Sequence, residues 1–215
     1  MRPITVSVGP LAAPSATNIR TASAIAGAGA VTLDGTTVSG GIATLDAQRR
    51  VIFTSSGNDT GITFAVVGTD GAGNPISETV TGANAAAAST VLDYKTLSSV
   101  ISSGAAAGTV SIGTNGLAAS PWVRLDDWGL PNLSIQSVVV GTINYTIQQT
   151  YDDPNSPTNP IAESAVTWSQ LVAAASALAI ANAAYAPVFV RVLVNSNTNP
   201  GSVTTTFLQT GVTPK

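Results

Sequence analysis

Few residues in this sequence could do chemistry. Two adjacent carboxylate pairs stand in the second half of the 215-residue chain, Asp126-Asp127 and Asp152-Asp153. Paired carboxylates hydrolyse glycosidic bonds when one is held protonated and the other ionised. Adjacent residues on an extended chain point to opposite sides, so neither pair forms a dyad by itself, and a working dyad must draw one member from each. Asp153-Pro154 is also an ordinary way to start a turn. Loop structure is therefore the expectation for both pairs, with a hard-cation site of Asp152, Asp153 and Asn155 as the remaining alternative. Trp122, Trp128 and Trp168 could present a sugar-binding platform. Two of them lie beside Pro121 and Pro131, where tryptophan usually plugs a core or anchors a subunit interface. That is the expected role, with Arg124 near enough in sequence to stack on one of the rings.

A third set of acids lies in "SSGNDTGITFAVVGTDGAGNPISETVTG", residues 55–82. A calcium loop of the EF-hand type places ligands at positions 1, 3 and 5 and glycine at 6. Counting from Asp70, position 3 is Ala72 and position 6 is Pro75, so the pattern fails. The stretch also lacks the GxxxxGK[ST] spacing of a phosphate loop. Asn, Asp and Gly supply the left-handed conformations and local hydrogen bonds of tight connections. The reading is two hairpin loops flanking one strong strand.

The chain contains neither histidine nor cysteine. The commonest general base, the usual zinc ligands and any disulfide framework are absent with them. No Ser, Thr or Lys has a visible base partner. No catalytic, cofactor-binding or metal-ligating residue is assigned from the sequence, and folding without metal is expected. Charged residues are 9% of the chain, against roughly 25% in an average soluble domain. The net charge of -3 and the scatter of the eight basic residues, with Arg49-Arg50 the only pair, argue against nucleic acid as a partner. The first twenty residues do not read as a signal peptide. The apolar run near 169–190 is interrupted by Asn182 and Pro187, so no membrane span is expected.

The elements that must position these residues read as short strands. Ile62, Phe64 and Val66 alternate with Thr63, Ala65 and Val67, which fits a half-buried antiparallel strand. Ile76, Glu78 and Val80 share a face, so Glu78 lies at a strand end or is buried with a partner. Further strands are expected at Ala30–Leu33, Gly41–Asp46, Arg50–Thr54, Val91–Ser99 and Thr109–Gly113. In the second half they are expected at "SIQSVVVGT", "INYTIQQTY", "VFVRVLVNS" and "GSVTTTFLQT". Leu171, Ala174, Ala175 and Leu178 have helical spacing and predict one short helix within 169–184. Pro3, Pro10 and Pro14 break the first segment. The organisation expected is an extended N-terminal arm over 1–30 that orders only in an assembly, a β-domain over 31–118 and a C-terminal β-sandwich over 119–215. The fold class is all-β, with two β-sandwich-like (jelly-roll-like) domains and at most one short helix.

The run "INYTIQQTYDDP", followed by "VTW", "APVFVRVLVNS" and "GSVTTTFLQTG", resembles a set of tailed-bacteriophage virion proteins. "VIFTSSGNDTGITFAVVGTDGAGNPISETVTG" is similar to the β-domain often found ahead of it, and together the similarity covers roughly residues 30–212. The resemblance implies a building block of the particle, located in the virion and assembled in the host cytoplasm. A capsid-surface decoration (cement) protein, working as a homo-oligomer such as a homotrimer on the major capsid protein, is the leading expectation. A neck or tail component or head fibre is the alternative, then a carbohydrate-binding adhesin module. The resemblance implies no enzyme activity, no cofactor and no membrane.

Overall fold

A computed structural model describes residues 2–125, 132–183 and 185–209. In chain order the strands are β1 (Arg2–Val8), β2 (Ser15–Ala24), β3 (Gly29–Ala30), β4 (Val38–Ser39), β5 (Ile42–Ser55), β6 (Thr63–Thr69) and β7 (Pro75–Thr81). They continue as β8 (Ala87–Ser102), β9 (Thr109–Ala119), β10 (Val123–Arg124), β11 (Leu133–Thr150), β12 (Ser169–Ala175), β13 (Ala179–Ala183) and β14 (Phe189–Gln209). The helical content of the described residues is one 3-10 turn, Glu163–Ala165. The protein is all-β, and the strand pairs are antiparallel.

The chain divides into two compact units. One is Pro14–Leu117; the other joins the segment up to Ala13 to the segment from Ala118 onward. In the Pro14–Leu117 unit the strand order is β9-β5-β8-β6-β7, with β2 on β9, β3 on β8 and β4 on β5. Its core gathers Ile19, Val51, Phe53, Phe64, Val66 and Leu97, with Phe53 and Phe64 stacked at 4.9 Å. The alternation of β6 is realised, since Phe64 and Val66 are fully buried. In the other unit β14 pairs with β11 along most of its length, and β1 lies on the second edge of its C-terminal half. The core there includes Val8, Leu11, Ile135, Tyr145, Val192 and Phe207.

The longest strands differ from the sequence expectation. "SIQSVVVGT" and "INYTIQQTY" are one strand, β11, and "VFVRVLVNS" and "GSVTTTFLQT" are one strand, β14. The intervening Gly141 and Asn199-Pro200-Gly201 do not make turns. They face each other at a break in register between Val140↔Ser202 and Thr142↔Thr198, which is a bulge. Gly141 has φ +73, and a Cβ there would lie 2.4 Å from the Pro200 carbonyl oxygen. The bulge also accommodates a proline that cannot donate to the ladder. Gly41–Asp46 and Arg50–Thr54 likewise merge into β5 around a bulge. The strand expected at Ala30–Leu33 is limited to Gly29–Ala30.

The predicted short helix within 169–184 is not formed. Residues there make β12 and β13, both paired with β11. Helix formation would leave the outer edge of β11 without partners, and unpaired backbone costs more than the helix propensity of alanine returns. Ala174 adopts φ 45, which an α-helix cannot contain. The Asn144 side-chain amide holds this bend by donating to the Ala174 carbonyl, and the Tyr145 hydroxyl donates to the Ala177 carbonyl.

The N-terminal segment also departs from expectation. Rather than an arm, β1 is a core strand, paired residue for residue with Val203–Gln209. Val8 and Leu11 are 1% exposed, and Leu11 N–H donates to the Gly201 carbonyl. Residues 15–24 belong to the other unit as β2, with Ile19 buried. The prolines that suggested an arm lie at an exposed position of β1 (Pro3) and in the β1–β2 connection (Pro10, Pro14). Leu11→Ala should therefore lower stability by about 2–5 kcal/mol, whereas Thr5→Ala on the exposed face of the same strand should stay within about 0.5 kcal/mol. Urea denaturation of the two variants checks this.

Candidate functional site

The aromatic and acidic candidates of the second half meet around Phe189 and Arg191 at the start of β14. Trp122 packs edge-on against Trp168 (5.0 Å between ring centroids) and against Phe189 (5.7 Å). The Arg191 guanidinium lies 4.1 Å from the Trp168 ring centre, and its Nε donates to Gln148 Oε1 at 2.8 Å. Arg124 stacks on Phe189 and pairs with Asp153 at 2.9 Å. The alternation in "VFVRVLV" thus buries both faces of β14, because tryptophan and arginine cover the face that carries Phe189 and Arg191. Trp128 and the pair Asp126-Asp127 lie outside the described residues.

This arrangement suits anchoring better than catalysis. Asp152 Oδ2 accepts from the Thr167 backbone N–H at 2.7 Å, and Asp153 Oδ1 accepts from the Asn155 N–H at 2.9 Å. Both carboxylates hold the loop that follows β11. Trp168 is half-buried, and a cation occupies one face of its ring. A sugar would stack on that face only by displacing Arg191, which is itself buried.

A second group of charges lies where β5 and β8 shift register. Between Thr44↔Thr96 and Arg49↔Tyr94, β5 carries extra residues. Arg49 is 2% exposed and forks onto Asp46 with two bonds of 2.6 Å. Lys95 Nζ donates to the carbonyls of Leu45 and Asp46 across the same bulge. Between Arg50↔Asp93 and Ile52↔Ser89 the extra residues are on β8. Here the Glu78 carboxylate accepts the N–H groups of Val91 (2.8 Å) and Leu92 (2.9 Å). Glu78 is therefore half-buried with a partner, in the middle of β7 rather than at its end. Its partner is a pair of backbone donors freed by a bulge, which no side-chain pattern announces. Arg49, one of the pair Arg49-Arg50, is buried in the fold.

The aspartates of residues 55–82 serve connections. Asp70 Oδ1 accepts from the N–H groups of Ala72 and Asn74, closing the β6–β7 hairpin. Asp59 is buried, and its Oδ1 accepts from Ala107 N–H at 2.7 Å. The loop that contains it is not a hairpin, because β8 lies between β5 and β6. Among the described residues no three His, Cys, Asp or Glu side chains gather as a metal site, and no helix is long and apolar enough to cross a membrane. Comparison with protein-family models, curated proteins and solved structures returns no match for this chain.

The environment moves two carboxyl groups in opposite directions. Burial pushes the Glu78 carboxyl above its ordinary value of 4.5, against the pull of the Val91 and Leu92 N–H groups. The hydrogen bond from Arg124 holds Asp153 below its ordinary 3.8, helped by Asn155 N–H and opposed by its slight desolvation. Folded Glu78 binds its proton more tightly than the unfolded chain does, so its contribution declines as pH rises from 4.5 through the raised native value. Asp153 contributes above 3.8, and that contribution is lost as pH falls through the lowered native value. Melting temperatures measured against pH should therefore lose the first slope in Glu78→Gln and the second in Asp153→Asn. Separately, Asp46→Ala removes the carboxylate that the Arg49 guanidinium grips and should cost about 1–3 kcal/mol by chemical denaturation.

Proposed function

We propose that the chain is a structural component of a bacteriophage virion, a capsid-surface decoration protein that reinforces the shell as a homo-oligomer and carries out no catalysis. The observation that carries this reading is the outward face of β13-β11-β14-β1. The register places Ile180, Gln136, Thr206 and Thr5 in one row, and Val138, Thr204 and Ser7 in the next. Ile180 is 75% exposed and Val140 66%. Thr5 bonds Thr206 at 3.1 Å and Ser7 bonds Thr204 at 2.9 Å, so the hydroxyls largely satisfy one another. Among the described residues this face carries no charged side chain. Such a surface is cheap to desolvate and does not repel an identical copy, which suits repeated docking on a lattice. Together with the phage-like sequence runs, it favours a building block over an enzyme.

Val140→Lys and Ile180→Glu test the reading. Both positions are exposed, so the melting temperature should be almost unchanged, while oligomers should dissociate in sedimentation experiments and incorporation into particles should fail. Particles lacking the protein should release DNA at a lower temperature than complete ones, because copies that bind only the assembled shell stabilise it by mass action. Depleted particles that keep full physical stability but lose attachment to cells would replace this reading with an adhesin. Particles in which the protein lies at the neck or tail by cryo-EM would move it to those structures.

A further inference from the structure

Arg20 is a buried cation without a buried anion. It projects from β2 with 5% of its surface exposed. Its Nη1 donates to the carbonyls of Val110 and Ser23, and its Nη2 donates to the Ala24 carbonyl at 3.2 Å. These three bonds leave Nε–H and one Nη2–H, and all three acceptors are neutral. Among the described residues no carboxylate comes within ion-pair distance of it. Asp34 attracts it only from further away, because its carboxylate is engaged by the Thr21 N–H (2.8 Å) and hydroxyl (2.9 Å). Burial accordingly lowers the pKa of Arg20, with Asp34 opposing.

Arg20 and the loop from Ala24 to Thr32 line a half-open pocket of about 280 Å³. At about 30 Å³ per water, that space holds several waters or one small hydrated ion. Ala26, Gly27 and Ala28 belong to this lining, and among the described residues no backbone acceptor pairs with their N–H groups. Nε and Nη2 are the nitrogen pair with which arginine grips two oxygens of one oxyanion. A buried charge is stable when paired, and the carbonyls already present do not pair it.

We propose that this cavity binds a small tetrahedral oxyanion of the phosphate or sulfate type, with Arg20 supplying the charge and the Ala26–Ala28 loop supplying backbone donors. The site is separate from the charge-free face, and the proposal does not depend on the virion reading. Thermal unfolding in inorganic phosphate, compared with chloride at equal ionic strength, tests it. Phosphate also stabilises proteins without binding, by exclusion from their surface, so the readout is the saturable difference between wild type and variants. Arg20→Gln should lose that difference. If this variant fails to fold, Gly27→Asp decides the matter: a side chain there meets nothing within 4 Å, and its carboxylate competes for the guanidinium. It should fold and weaken phosphate binding about tenfold or more, a difference of about 1.4 kcal/mol. A wild-type response that does not saturate, or one that Gly27→Asp retains in full, overturns the proposal. Equal saturation by acetate overturns the tetrahedral class.

Discussion

Strand β14 has two hydrogen-bonding edges along twenty-one residues, and the unit that contains it is arranged to occupy both. β11 takes one edge almost throughout. The other edge is shared, with β10 and the end of β9 against the first part and β1 against the last. Each unpaired backbone group would cost about as much as a lost hydrogen bond, so this sharing explains several features at once. It makes β1 a core strand and requires a bulge where Pro200 interrupts the ladder. Because the partners of the first part carry Trp122 and Arg124, it also brings the aromatic cluster to that end.

The charged residues that the sequence does contain are placed against the usual rule. Arg20, Arg49, Asp59, Asp93 and Arg191 are all buried, in a chain that has little charge to place. Most of them work on irregular backbone. Arg49 and Lys95 act on the β5 bulge, Glu78 on the β8 bulge, and Arg20 on the carbonyls where β2 shifts against β9. Ionic groups here do what short polar loops do in simpler sheets. The outer face of β13-β11-β14-β1 is left to uncharged residues such as Thr, Ser, Val and Ile.

Local patterns were legible in the sequence, and partners across the sheet were not. The all-β class and the β6 alternation followed from period-2 runs and turn residues, and Asp70 closes a turn as its neighbours suggested. The errors share one cause. Gly141 and Pro200 read as turns because each is punctuation in isolation; facing each other across a ladder, they form a bulge. The alanine stretch read as a helix because the empty edge of β11 cannot be seen from residues 169–184 themselves. Arg20 gave no signal at all, since its significance depends on a cavity made by a loop of alanine and glycine.

The pairing of β1 with β14 also sets a timetable for synthesis. β1 precedes its partner segment, Val203–Gln209, by about 200 residues. At roughly 5–20 residues per second, β1 waits about 10–40 s for a ladder to join. The Pro14–Leu117 segment has all its own strands before then and can close as a unit while β1 hangs free. Over that interval a nascent chain carries an unpaired strand, with Val8 and Leu11 uncovered. Crowded polysomes bring several such strands near one another, and unpaired strand edges are prone to associate.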